Sequence, residues 1–180
     1  MEAMENIVTR RSIRRYTDEP VTREDIKRCV EAARFAPSWK NTQTTRYIAV
    51  FDREMKERIA NECVCGFEFN RSNINSAAAL IVETTVEKRS GYEKDGSFST
   101  TKGTHWQSFD AGIAAEAFCL AAHDLGLGTV ILGVFDEQKV KEVVNVPEGQ
   151  SISALILIGH PDQAPKAPLR KEVEELISYR

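Results

Sequence analysis

Residues 105–133 read HWQSFDAGIAAEAFCLAAHDLGLGTVILG, a long apolar segment that leads through two glycines into a second apolar run. The first part, from His105 to Leu125, predicts an α-helix whose apolar residues cover most of its circumference rather than one face. Such a helix must be buried on several sides. Because the core of a 180-residue chain rarely covers a helix so completely, we expect part of it to face a second subunit.

The rest of this segment predicts a strand, and similar patterns recur along the chain. Gly126 and Gly128 end the helix, and residues 129–133 (TVILG) predict a buried β-strand. Hydrophobic spacing predicts further helices at 23–36, 53–65, from 136 to just before Pro147, and at 170–177, and further strands at 47–51, 79–86 and 152–158. With no internal repeat and no domain boundary, residues 1–180 are expected to form a single domain.

One long segment has no predicted structure. Residues 87–104 are polar, rich in Gly, Ser, Lys and Thr, and show no periodicity. An irregular stretch of this length within a compact domain is usually functional or disordered. We therefore expect either a disordered loop or a lid.

The composition excludes several classes of protein. With 42% hydrophobic and 28% charged residues, the chain is typical of a globular domain. Its 24 Lys and Arg against 27 Asp and Glu give a net charge of −3, which favours neither nucleic acid nor an anionic membrane as a partner. No stretch approaches the roughly 20 apolar residues of a membrane span, and no signal peptide is recognisable, so a cytoplasmic location is expected.

Cysteine and histidine form no pattern that indicates a metal site or a catalytic site. The cysteines are expected to be free thiols: Cys29, Cys63, Cys65 and Cys119. The three histidines are far apart, and phosphate-loop, nucleophile-elbow and dinucleotide-binding glycine motifs are absent. His123 and Asp124 are the nearest approach to a catalytic pair, but adjacent residues in a helix point in different directions, so we interpret both as structural.

A dense basic cluster lies at residues 10–15, RRSIRR. Helical spacing would set Arg10 beside Arg14 and Arg11 beside Arg15, where like charges repel by a few tenths of a kcal/mol, roughly, unless an anion neutralises them. Two guanidinium groups and the Ser12 hydroxyl suit a compact dianion such as a phosphomonoester. The alternative interpretation is a solvated charged face.

A second polar constellation, APSWKNTQ at residues 36–43, follows the helix that Thr22 caps and Pro37 ends. Ser38, Asn41 and Gln43 place a hydroxyl and two amides near a tryptophan and a lysine. Such donors and acceptors suit the edge of a planar heterocycle, although an ordinary loop after a helix is the alternative. The glycines of GLGTVILG would let backbone amides approach a flat ligand closely.

Four separated motifs, in this order, resemble the flavin-dependent nitroreductase family. They are RRSIRRY (10–16), EAARFAPSWKNTQ (31–43), DAGIAAEAFCLAAHDLGLGTVILGVF (110–135) and IGHPDQAPKAPLRKEVEEL (158–176). The resemblance spans nearly the whole chain. It implies an α+β fold with a mixed sheet wrapped by helices, in an intertwined homodimer that holds one FMN at each of two sites between the subunits.

The resemblance also implies roles for individual residues. The phosphate and ribityl contacts fall on Arg10, Arg11, Ser12 and Arg14, with Arg170 and Lys171 closing on the phosphate, while Arg15 matches no required position. Leu132 and Gly133 match the segment whose backbone amide faces flavin N5, and Asn70 or Asn73 match the pyrimidine edge. The family takes its other ring contacts from the partner subunit, here Pro37, Ser38 and Asn41.

The implied activity is hydride transfer from NADH or NADPH through flavin N5 to an organic oxidant such as a nitroaromatic or a quinone. The protein then supplies orientation and electrostatics, and no catalytic acid or base is required. The alternatives are an NAD(P)H:flavin reductase or specialised oxidoreductase of the same fold, a non-catalytic flavin-binding redox sensor, and, least favoured, a nucleic-acid-binding protein that uses RRSIRR.

The substrate side departs from the family pattern. Thr44 and Thr45 stand where Pro-Trp is frequent, and Lys40 replaces a small residue. We expect Trp39 and Lys40 to form one wall of the substrate site. The loop at 87–104, which carries aromatic residues and lysines, is expected to be its mobile cover.

Overall fold

The computed structural model describes all 180 residues and contains seven α-helices, one short 3₁₀ helix and four β-strands. The helices are α1 (Ala3–Thr9), α2 (Arg23–Ala33), α3 (Arg53–Glu62), α4 (Glu68–Ser76), α5 (His105–Asp124), α6 (Glu137–Val144) and α7 (Val173–Leu176). The strands are β1 (Thr45–Val50), β2 (Ala79–Val86), β3 (Gly128–Leu132) and β4 (Gln150–Gly159), and the 3₁₀ helix is Trp39–Asn41. Every predicted helix and strand is present, with ends shifted by a few residues.

Short polar side chains begin three of the helices. Thr22 Oγ1 accepts a hydrogen bond from the Asp25 amide at 3.1 Å, and the Asp25 carboxylate accepts one from the Thr22 amide at 2.9 Å. Asp52 and Asp136 accept hydrogen bonds from the first turns of α3 and α6 in the same way. These bonds satisfy amides that have no partner within the helix, which is why the helices start where the sequence predicts.

The four strands form one sheet in the order β1-β2-β4-β3, and all three pairings are antiparallel. The parallel component of the predicted mixed sheet is a single bridge between Ser12 and Thr129. Two hydrophobic cores cover the two faces. One contains Ile59, Ile74 and Val140 from α3, α4 and α6. The other contains Ile26 and Phe118 from α2 and α5. The α+β architecture is as predicted.

One prediction about local structure is wrong, and of the two alternatives for residues 87–104, a disordered loop or a lid, the first is wrong. The RRSIRR segment is extended rather than helical, because Ser12 bridges to Thr129 and the Ile13 amide donates to the Thr129 carbonyl at 2.8 Å. Arg10 therefore does not stack on Arg14 as in a helix. The 87–104 segment is not disordered: its Glu93 amide donates to the Ser97 carbonyl at 2.9 Å, and Tyr92 packs on Phe98.

Helices α1 and α4 are not predicted from the sequence, since neither carries a regular apolar stripe. Helix α1 buries no residue, and α4 buries only Asn70 and Ile74. No helix in the structure combines the length and the apolar character that crossing a membrane requires.

Close packing against Gly159 gives a test of the fold. A Cβ at this position would lie 2.6 Å from Cδ1 of Tyr16, whose buried hydroxyl donates to the Ile13 carbonyl at 2.6 Å. We expect Gly159→Ala to lower the free energy of unfolding by about 1–3 kcal/mol, the usual cost of overpacking a core. Urea-induced unfolding of the ligand-free protein measures this change in the free energy of unfolding.

Gly133→Ala is the matched control, because no atom lies within 4 Å of the added Cβ. Its free energy of unfolding should stay within about 0.5 kcal/mol of the parent. Equal stability of Gly159→Ala and Gly133→Ala would show that the Tyr16 contact is wrong.

Candidate functional site

The basic N-terminal segment is held against the beginning of β3. Besides the two contacts to Thr129, the Thr17 amide donates to the His160 carbonyl at 2.9 Å, and the Asp162 amide donates to the Arg15 carbonyl at 3.0 Å. Gly128 allows the close approach, since an added Cβ would lie 2.7 Å from an Ile13 side-chain carbon. The arginines are thus fixed at one edge of the sheet.

Arg10 and Arg11 line a cavity of about 480 Å³. His123, Gly128 and Thr129 are among its other lining residues. Burial, and then the charges of Arg10 and Arg11, lower the pKa of His123, so its imidazole is neutral at pH 7. Two guanidinium groups beside a neutral, partly buried surface favour an anionic ligand.

The arginines differ in what they already contact. Arg10 Nε lies 3.2 Å from Glu116 Oε1 on α5, and Arg11 Nη1 donates to the Val8 carbonyl at 2.7 Å, where it caps α1. Arg14 is exposed and takes part in no salt bridge within the chain. Arg15 is likewise exposed and takes part in none, so Arg14 and Arg15 both have a guanidinium group free to bind a ligand.

The neighbouring pair His123 and Asp124 is not a catalytic dyad. Asp124 Oδ1 accepts a hydrogen bond from the Met1 amine at 2.7 Å, whereas His123 Nε2 lies 3.0 Å from Thr9 Oγ1. The two side chains make separate contacts, in agreement with the structural interpretation.

The far end of β3 offers an open backbone. Leu132 is buried, but Gly133 is exposed and has no atom within 4 Å of the position of a Cβ. Asn70, which is 5% exposed, donates from Nδ2 to the Val134 carbonyl at 3.0 Å. This hydrogen bond brings α4 beside Gly133, and Asn73, one turn further along, is half-buried. The polar groups of α4 and the open backbone thus share one edge.

The loop at residues 37–43 is strained. Lys40, Asn41 and Gln43 all have positive φ angles, of 46°, 55° and 48°. Ser38 Oγ accepts a hydrogen bond from the Gln43 amide at 2.9 Å, so this hydroxyl helps to hold the loop. Backbone strain in residues other than glycine concentrates at functional sites, and Asn41 is exposed at this one.

Asp110 on α5 anchors the strained loop. Both carboxylate oxygens of this buried residue accept a hydrogen bond from the Trp39 amide, at 3.1 and 3.0 Å. The Trp39 ring packs on Trp106 with centroids 4.6 Å apart, and Lys40 Nζ lies 3.1 Å from Glu93 Oε1. Lys40 therefore contacts the 87–104 loop, and Trp39 contacts the first turn of α5, which follows that loop.

The two halves of the predicted site lie on opposite edges of the sheet. The 37–43 loop leads into β1, whereas Gly133 follows β3, and β2 and β4 lie between. Three strand spacings correspond to about 14 Å. Within one chain the structure therefore does not bring Pro37, Ser38 and Asn41 together with Leu132 and Gly133.

The basic pair in the C-terminal tail also stands apart from the arginine cluster. Residues 166–180 are all exposed, and neither Arg170 nor Lys171 lines the cavity beside Arg10 and Arg11. Lys171 instead lies 4.0 Å from Glu175. One copy of the chain does not close this part of the predicted site.

Two features of the site are missed by sequence reasoning. Asp110 is hidden within an apolar helix, and its contact with Trp39 joins residues far apart in the chain. Phe67 and Phe69 are 43% and 74% exposed beside Asn70, with ring centroids 5.6 Å apart. The signal for the second feature is present in the sequence, because GFEFN places two aromatic residues next to a turn.

Comparison with known proteins gives consistent matches over nearly the whole chain. A model of the nitroreductase family matches residues 7–79 and 68–160. FMN reductase (NAD(P)H) of Bacillus subtilis is 33% identical, in an alignment that covers 93% of this chain and 69% of the relative.

Solved structures agree with this match. A nitroreductase family protein from Clostridium novyi superimposes with a TM-score of 0.78 and 29% identity, covering 93% of this chain and 89% of that one. NADPH:FMN oxidoreductase from Vibrio harveyi, complexed with NAD⁺, gives a TM-score of 0.81 and 26% identity, with coverage of 98% and 76%.

Proposed function

Since the chain belongs to the nitroreductase family, we propose that it is a homodimeric oxidoreductase that binds FMN and uses NADH or NADPH to reduce a small organic oxidant. The main observation in favour of this proposal is the arrangement of groups along β3, an edge strand of the sheet. The arginine-lined cavity lies at one end of that strand, and the open backbone of Gly133 lies at the other. An elongated ligand with an anionic end and a flat end suits such an edge.

The residues present fit FMN. Arg10, Ser12 and Arg14, helped by Arg11, would hold the phosphate, since guanidinium forks and a hydroxyl suit a dianion. Gly133 has the open backbone that a flat ring needs for close approach, with Leu132 beside it. Asn70 would lie at the polar rim of the ring. When bound, FMN supplies hydride acceptance and donation at N5, which is cofactor chemistry rather than side-chain chemistry.

A second copy of the chain would complete the site. Pro37, Ser38 and Asn41 lie too far from Gly133 within one chain, so the partner subunit would supply these three residues to the site. Helix α5 and Phe35 form an open apolar groove of about 780 Å³, in which Phe109 is 58% exposed. The tail exposes further apolar side chains, among them Leu169 and Leu176. Apolar surface of this extent is typical of an interface.

On the tail, Arg170 and Lys171 would add positive charge at the phosphate of one of the two sites. Both are exposed in the single chain, where Lys171 contacts Glu175 of the same tail.

The chain's own residues would bind and orient the reactants. Trp39 and Lys40 would form the wall of the substrate side, where a flat ring can stack and an ammonium group can meet a phosphate of the nicotinamide nucleotide. No carboxylate, histidine or thiol is assigned as an acid, base or nucleophile. The oxidant is proposed to be a nitroaromatic or a quinone.

One observation favours free flavin as a second candidate oxidant. The Bacillus subtilis relative, 33% identical, is named FMN reductase. A reductase of this kind would release reduced flavin rather than pass electrons to a quinone or a nitro compound.

Steady-state turnover tests the proposal. Purified protein should be yellow, release FMN on denaturation, and oxidise NADH or NADPH faster when menadione, nitrofurazone or free FMN is added. The acceptor with the largest kcat/KM identifies the class of oxidant. A colourless protein that binds no added FMN would contradict the proposal.

The 87–104 loop gives a prediction about the substrate side. Replacement of residues 92–101 by a short Gly-Ser linker should leave FMN bound, because the phosphate and Gly133 contacts lie elsewhere. We expect the KM for NAD(P)H or for the oxidant to change by about 5-fold or more, equivalent to about 1 kcal/mol. Glu93→Gln, which removes only the salt bridge to Lys40, should give a smaller change. Unaltered KM values for both substrates would show that the loop is only a connection.

A further inference from the structure

A buried carboxyl group without a partner lies in the middle of the sheet. Glu83, on the central strand β2, is 1% exposed, and its Oε1 atom is buried with no hydrogen-bond partner. Burial alone raises the pKa of this carboxyl to about 8, and no charged neighbour contributes. A buried polar group that is left unsatisfied is costly, so its retention requires an explanation.

Glu83 lines a cavity of about 350 Å³ between α5 and the sheet. The cavity exists because α5 presents small residues over this part of the sheet, namely Ala111, Gly112 and Ala115. Hydroxyl and amide groups supply much of the remaining lining: Thr85, Thr104, Gln107, Ser108, Ser151 and Ser153. Ile131 and Ile152 give it an apolar wall.

A β-bulge shapes this cavity. Glu83 pairs with Ala154, but Thr84 pairs with Ile152, which leaves Ser153 as an extra residue on β4. Ser153 Oγ lies 2.8 Å from Thr85 Oγ1. Bulges re-aim side chains and are frequent beside functional sites. The irregularity here places a pair of hydrogen-bonded hydroxyls beside the unpartnered acid.

The lining contains one acid and no lysine, arginine or histidine. An anionic ligand would therefore meet no positive group, whereas a cation would supply the counter-charge that Glu83 lacks. We propose that this cavity binds a small organic cation of the amidinium or primary ammonium class, with its charge on Glu83 and its N–H groups donating to the surrounding hydroxyls. The proposal does not require bound FMN, although Ile131 lies on β3, and Ser108 and Gly112 also line the apolar groove beside Phe109.

Binding would couple to a proton. At pH 7 the Glu83 carboxyl holds a proton, and it would release that proton to solvent as the cation enters. Two other titratable groups near Glu83 remain neutral: burial raises the pKa of Tyr47, its neighbour on β1, and raises that of Cys119 on α5 to about 11. Asp110 on α5 is held by the Trp39 amide, and β4 contributes no titratable side chain to the lining.

The pH dependence follows from this release. The carboxylate forms as the pH rises through about 8. Affinity for a cation should therefore increase on the order of tenfold for each pH unit from 6 to 8 and level off above.

Calorimetric titration of FMN-loaded protein with benzamidine tests the proposal, with benzamide as the uncharged probe of the same shape. We expect benzamidine to bind at pH 8.5, benzamide to bind at least tenfold more weakly, and Glu83→Gln to lose benzamidine affinity by at least tenfold. Glu148→Gln, an exposed change elsewhere, is the control and should bind as the parent does.

Proton release is the second measurement. Titrations at pH 7 in buffers of different ionisation enthalpy should report release of close to one proton for each benzamidine bound by the parent protein. Absence of binding at pH 8.5, equal binding of the two probes, or undiminished affinity in Glu83→Gln would each overturn the proposal.

Discussion

Ala117→Asp should convert a stable dimer into monomers or prevent the chain from folding. Ala117 lies on the outer side of α5, where it lines the apolar groove with Ile113 and Leu120. A carboxylate there would be buried against apolar surface of the second copy, and an unpaired buried charge costs several kcal/mol, roughly. Folding of an obligate dimer also depends on subunit association. Light scattering measures the mass, and circular dichroism measures the folding.

Two further variants of the chain serve as comparisons for this prediction. Asn61→Asp places the same charge on exposed α3, across the sheet from α5, and should remain dimeric. Deletion of residues 166–180 removes only side chains that are exposed in one copy. This deletion should leave the fold intact but weaken association, because exposed apolar side chains of the tail, among them Leu169 and Leu176, would no longer contact the partner. A well-folded, FMN-loaded monomer of the parent protein would contradict the dimer.

Arg14→Ala should weaken FMN binding by about 1.5–3 kcal/mol, which corresponds to roughly 10- to 150-fold in Kd. The Arg14 side chain is exposed and forms no salt bridge, so its removal costs little else in the structure. The lost interaction would be a hydrogen bond to a charged phosphate, the stronger class of hydrogen bond. Quenching of FMN fluorescence on titration with apoprotein measures the affinity.

Arg15→Ala is the matched control, because the neighbouring arginine is equally exposed but matches no family contact. Its FMN affinity should stay within about 2-fold of the parent, a change of under 0.5 kcal/mol, roughly. If Arg14→Ala and Arg15→Ala bind FMN equally well, the phosphate assignment is wrong.

The sequence predicts most of the regular structure because the signals are local. Hydrophobic spacing and the caps at Thr22 and Asp136 suffice to locate helices and strands. The conformation of RRSIRR cannot be predicted in this way. Its arginines have helical spacing, but the pairing of Ser12 with Thr129 joins residues far apart in sequence and makes the segment extended.

In the candidate site, too, some features are evident from local sequence and others depend on contacts between residues far apart in the chain. The arginine cluster and the SWKN segment are evident as motifs, and the family resemblance gives them roles. Asp110 and Glu83 are not evident, because each lies in a mostly apolar helix or strand and its role depends on tertiary contacts. The strand order separates the 37–43 loop from Gly133, so a single chain holds only part of each proposed site. No sequence motif indicates this separation.

Anaerobic titration of the purified, FMN-loaded dimer with NADH and with NADPH is the most direct test of the account. We predict that one of the two nucleotides bleaches the visible flavin absorbance in proportion to the amount added, and that a quinone or nitroaromatic then restores the absorbance. A bound flavin that neither nucleotide reduces would contradict the assignment as an NAD(P)H-dependent oxidoreductase and favour a flavin-binding sensor.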